Sequence, residues 1–72
     1  MLGDRAATVV EIRPFDIHGS AHVDVTLSWE DGGTATARLG AESVPDAIEP
    51  GDRVIARLVM STVVALERPP AS

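Results

Sequence analysis

A chain of 72 residues buries only about 60% of the surface its unfolded form exposes, so its stability is marginal and self-association is the natural reinforcement. It has no cysteine, which removes disulfides and thiolate metal sites. Eleven acidic residues against six arginines, with no lysine, give a net charge of -5, which opposes the counterion release behind most nucleic-acid binding and leaves no amine for Schiff-base chemistry.

Phe15 and Trp29 are the only aromatic residues, too few for the run of rings on which single-strand binders stack bases. No nucleic-acid partner is expected. Apolar runs fall short of the roughly eighteen residues of a membrane span, and Met1 to Asp4 lacks the charged start and apolar core of a signal. The chain reads as cytoplasmic, without membrane insertion.

Ala6 to Arg13 reads as the first strand, with Thr8, Val10 and Ile12 on one parity, Val9, Glu11 and Arg13 on the other, and Pro14 closing it. Phe15 to Ala21 is expected to be a loop or irregular hairpin connection. His22 to Trp29 alternates cleanly, placing Val23, Val25, Leu27 and Trp29 on one face. Glu30-Asp31-Gly32-Gly33 supplies a tight reversal, and Thr34 to Leu39 resumes the alternation with Ala35, Ala37 and Leu39 inward. Trp29, at the end of its apolar face, is expected to cap the core rather than stack on a ligand.

Ser43-Val44-Pro45-Asp46 carries the marks of a helix start, with Ser43 as N-cap and Pro45 in the first turn. Val44 and Ile48 lie four apart, and Pro50 stops the short helix. Pro50-Gly51 then turns into two strands within Arg53 to Leu66, interrupted at Ser61-Thr62. Val54, Ala56, Leu58 and Met60 form an apolar face, whereas Arg53, Ile55, Arg57 and Val59 form a mixed one suited to a subunit contact or ligand rim. The order predicts an all-β fold: a small five-stranded OB-like barrel with one short helix between strands 3 and 4. An SH3-like barrel is the alternative. Residues 1–68 are expected to form one domain, followed by a frayed Pro-rich tail at 69–72.

No catalytic residues are assigned, because the serines have no histidine in a nucleophile setting and the carboxylates fall at outward or turn positions. The chain is not expected to be an enzyme. His18 and His22 are four apart, but Gly19 and Ser20 disfavour a helix between them and no third ligand is evident, so no metal site is assigned. Arg57 and the Met60-Ser61-Thr62 turn offer a guanidinium, two hydroxyls and backbone amides that suit an oxyanion. The same residues would also serve as an ion pair and a plain hairpin turn.

Ala7-Thr8-Val9-Val10-Glu11-Ile12, the Gly32-Gly33 turn leading to Thr36-Ala37, Glu42-Ser43-Val44, Ile48 through Ala56, and Ser61-Thr62-Val63-Val64 together run over nearly the whole chain. In that order they resemble the TOBE domain, in particular its stand-alone Mop-type, molbindin-like form. The resemblance implies an OB-like barrel that binds molybdate or tungstate as an oligomer, with no other cofactor. The candidate ligand-binding residues are then Ser61, Thr62, Arg57 and Arg5. Val59 and Met60 stand where the family has lysine and alanine, while Ser61 matches its signature. The second expectation is therefore a TOBE-like interaction or oligomerisation module without an anion site, contacting itself or a transport or regulatory protein through its Ile55/Val59 face.

Overall fold

The computed structural model describes residues 2–70. It is all-β: β1 (Leu2–Ile17), β2 (Ser20–Trp29), β3 (Thr34–Gly40), β4 (Arg53–Val59) and β5 (Thr62–Glu67) form one sheet in the order β3-β2-β1-β4-β5. Each neighbouring pair is antiparallel. Four successive reversals separate β3 from β5, so these two edge strands run in the same direction. They approach one another across the curled sheet, but no ladder joins them, and the expected barrel is left unclosed along this seam.

β1 is longer than the sequence suggests and continues through Pro14. Its first part, Leu2 to Thr8, pairs with β4, while Ala7 to Ile17 pairs with β2. Pro14 therefore sits where β1 has a neighbour on one side only, the position at which a missing N–H is tolerated. The register shifts between Val9 and Glu11, so the bulge carries Val10 outward and returns Ile12 to the core side. This breaks the Thr8/Val10/Ile12 parity expected from strict alternation. Where a loop or irregular hairpin is expected over Phe15 to Ala21, the structure has a regular hairpin with a two-residue turn: His18 (φ 48°) and Gly19 (φ 82°) both lie at positive φ, as a type I′ hairpin requires.

The inward faces expected for β2 and β3 are observed. Val25 and Leu27 are fully buried, Trp29 and Leu39 nearly so, and Ala35 and Ala37 pack against them. From the other half of the sheet Val54, Ala56, Leu58 and Leu66 complete the core with Ala7 and Val9. Met60 does not join them. It occupies the β4–β5 turn at φ 58° and is largely exposed, because the reversal starts one residue earlier than the alternation implied.

The short helical element expected between strands 3 and 4 is present as a 3-10 turn, η1 (Ala41–Ser43), that ends at Ser43 rather than as a helix that starts there. Val44 is extended at φ -126°, ψ 147°. Pro45 imposes this on the residue before it. Val44 and Ile48 still reach the core, held there by an irregular segment. Gly51 N–H donates to Val9 O, and Val9 N–H to Asp52 O, each at 2.8 Å, which docks the Pro-Gly-Asp turn onto β1 ahead of β4. Pro69 and Pro70 are exposed and lie outside any strand, and 71–72 fall outside the described residues. Among the described residues no helix is long and apolar enough to cross a membrane.

Candidate functional site

The unclosed seam is a cleft of about 540 Å³. Ala35, Thr36, Ala37 and Arg38 of β3 form one wall, and Met60, Ser61, Thr62 and Val63 around the β4–β5 turn form the other, with Arg5, Trp29 and Leu58 at its base. Three of the four expected ligand-binding residues, Arg5, Ser61 and Thr62, therefore share one site. Ala35 and Ala37 are small enough to leave this space open above Trp29.

Arg57 lies elsewhere, in a shallow depression with Leu2, Gly3 and Asp4. Its position follows from register: Arg57 is outward on β4, opposite Asp4 of β1 and one strand from Glu67. Its Nε is 3.7 Å from Asp4 Oδ1 and its Nη2 3.4 Å from Glu67 Oε1. It is an ion-pair residue of the outer face.

The other guanidiniums are also committed. Arg5 donates to Asp31 Oδ1 at 2.7 Å, and its Cζ lies 4.1 Å from the centre of the Trp29 ring. Arg38 holds Asp24 through two hydrogen bonds, 2.9 and 3.1 Å, and lies over the Phe15 ring at 4.6 Å. Arg53 bonds Glu30, Arg13 Nε is 3.3 Å from Glu11, and Arg68 is 3.9 Å from Asp52 while donating to Asp46 O at 2.8 Å. Every arginine of the chain thus faces a carboxylate. The hydrogen bond from Arg5 holds the Asp31 carboxyl below its ordinary value, and that from Arg38 does the same for Asp24. In return, Asp24 raises Arg38.

His18 is placed in the β1–β2 turn, away from the cleft. The Nδ1 of His22 lies 2.9 Å from Ser20 O, and its ring lies 5.7 Å from that of Phe15. Among the described residues no three His, Cys, Asp or Glu side chains come together as a metal site would need.

Thr36 and Arg38 belong to the cleft but are not among the residues expected from sequence. The alternation of β3 marks them as outward; only the approach of β5 turns an outward edge into a wall. No protein-family profile, curated protein or solved structure matches this chain.

Proposed function

We propose that this chain is a protein-interaction and oligomerisation module of TOBE-like character whose anion site is not functional. The observation that carries this reading is the pairing of all six arginines with carboxylates of the same chain. An oxyanion entering beside Arg5 or Arg57 would compete with Asp31, or with Asp4 and Glu67, in a molecule already at -5. Ser61 and Thr62 alone offer hydroxyls but no net charge.

The contact surface is the outer end of β1 and β4. Leu2 is the register partner of Val59, and Met60 follows directly; the three are 77%, 41% and 78% exposed. Ile55 lies on the same side of β4, half-buried. In a chain with so small a core, covering this patch with a second copy supplies apolar burial that the monomer lacks. A transport or regulatory protein in the cytoplasm is the alternative partner for the same patch, and no enzymatic role is assigned.

Light scattering across a concentration series tests the reading. The expected result is an oligomer for the native chain and a folded monomer for Val59→Glu; a native chain that stays monomeric throughout would overturn self-association. Calorimetric titration with molybdate and tungstate is expected to give no saturable heat. Saturable binding that Arg5→Ala abolishes would restore the oxyanion reading instead.

A further inference from the structure

We propose that Asp31-Gly32, in the β2–β3 turn, is a site of spontaneous backbone isomerisation through a cyclic imide, and that Arg5 and Trp29 restrain the reaction while the chain is folded. The sequence singles the site out. Of the six aspartates only Asp31 precedes a glycine, and the chain has no asparagine. A glycine in the next position favours ring closure because it puts no Cβ beside the approaching atoms.

In the reaction the amide nitrogen of Gly32 attacks Cγ of Asp31. The carboxyl gives up a hydroxyl and the nitrogen its hydrogen, so one water leaves as the five-membered imide closes. Water then reopens the ring. Addition at Cγ restores aspartate. Addition at the main-chain carbonyl of Asp31 leaves the chain running through Cβ and Cγ, with the former carbonyl now a free carboxylate. No other reactant is consumed, and the product has the mass of the starting chain.

Both reacting groups are restrained in the fold. The Asp31 side chain is 74% exposed, so water reaches it. Its Oδ1 accepts from Arg5 Nη2 at 2.7 Å, a charge-assisted bond that favours the ionised carboxyl and holds it below its ordinary value, whereas loss of hydroxyl needs the protonated form. The Gly32 N–H donates to Trp29 O at 3.1 Å, which keeps the attacking nitrogen in the turn. Arg5 itself lies 4.1 Å from the centre of the Trp29 ring. Trp29 therefore acts on both partners, on the amide through its carbonyl and on the carboxylate through the guanidinium packed against its ring.

Isomerisation has a structural consequence. The product carries one more backbone atom between Asp31 and Gly32, which disrupts the bond from Trp29 N–H to Gly33 O, 2.9 Å in the native turn, and moves the carboxylate relative to Arg5. The turn loosens beside the cleft that Arg5 and Trp29 line.

The experiment is incubation of the chain at neutral pH, then digestion and mass spectrometry of the peptide carrying Asp31. The isomerised form is told apart by its separate elution and its resistance to a protease that cleaves at aspartate. Isomerisation is expected to be slow in the folded native chain and several-fold faster in urea. Arg5→Ala, shown to be folded by its tryptophan emission, is expected to isomerise several-fold faster than the folded native chain. Arg5→Gln, which keeps a stem over the indole but loses the charge, is expected to do the same. Asp46, which precedes Ala47, reports global unfolding and is expected to be unaffected by either change. Val59→Glu is expected to leave the rate at Asp31 unchanged, which separates this chemistry from self-association. The proposal is overturned if Asp31 stays unmodified in urea, if the folded native chain reacts as fast as the unfolded one, or if neither Arg5 variant raises the rate. A proportionate rise at Asp46 in those variants would also overturn it.

Discussion

The guanidinium of Arg5 lies 4.1 Å from the centre of the Trp29 ring while one of its nitrogens donates to Asp31. Arg5 and Trp29 come from strands that pair through Ala7↔Trp29, so the arginine lies over the indole at the base of the cleft. A cation over an indole face contributes about 0.5–1 kcal/mol at an exposed site and more when desolvated. Arg5→Ala is expected to lower the melting temperature by a few degrees. It should also shift the emission of the single tryptophan to longer wavelength, since water reaches the ring. Unchanged emission would show that Arg5 does not shield it.

Asp24 and Asp31 have carboxyl groups held below 3.8 by their arginine partners. Because the folded-state value is the lower one, the stability these groups add is present above pH 3.8 and is lost as pH falls through the depressed value. The expected outcome is an acid-induced fall in denaturation midpoint that is shallower in Asp24→Asn, and shallower again in the double variant with Asp31→Asn. Both groups are exposed, so added salt should flatten the native profile toward that of the variants.

Leu27 is fully buried between the two halves of the sheet. Truncation to alanine leaves a cavity and costs about 2–5 kcal/mol, against a total of about 5–15 kcal/mol for an ordinary domain. Leu27→Ala is expected to remove a large share of the stability, seen as a marked fall in urea midpoint followed through tryptophan emission. A loss below 1 kcal/mol, on the scale set by such series, would show that the site repacks.

Met60 and Ala47 hold φ of 58° and 57°, a region that costs a residue with a Cβ about 1–2 kcal/mol. Glycine there relieves the clash but adds freedom to the unfolded chain, worth about 0.4–1 kcal/mol in the opposite direction. Met60→Gly and Ala47→Gly are each expected to stabilise by about 0.5 kcal/mol, visible as a small rise in urea midpoint. For Met60→Gly the same change should weaken self-association, because it removes an exposed apolar side chain from the proposed contact.

The residues expected to be inward on β2 and β3 are inward because uninterrupted alternation between good turn residues leaves one assignment open. Where the fold departs from expectation, the cause is a neighbour that local sequence does not contain. Pro14 ends a strand only if both sides need N–H groups, and β4 stops before reaching it. Val10 faces out because a bulge inserts one residue. Ser43 resembles a helix cap, yet Pro45 forces Val44 into an extended conformation. The arginine pairs are the least legible feature: Arg5 meets Asp31 across 26 positions and Arg53 meets Glu30 across 23, distances that only strand register brings together. Local sequence leaves Arg57 equally suited to an anion or a carboxylate, and it is register that sets Asp4 and Glu67 on either side of it.

That β1 is the only strand shared by the two halves has a kinetic consequence. The meander β1–β2–β3 and the hairpin β4–β5 each close through short turns, which form in microseconds. The ladder from Leu2↔Val59 to Thr8↔Arg53 instead brings together residues some 45 to 57 positions apart, and such non-local pairing slows folding. Assembly of this molecule therefore waits on the docking of two preformed pieces along seven residues of one strand, and substitutions at Ala7 or Val54 will slow folding more than those at the hairpin tips.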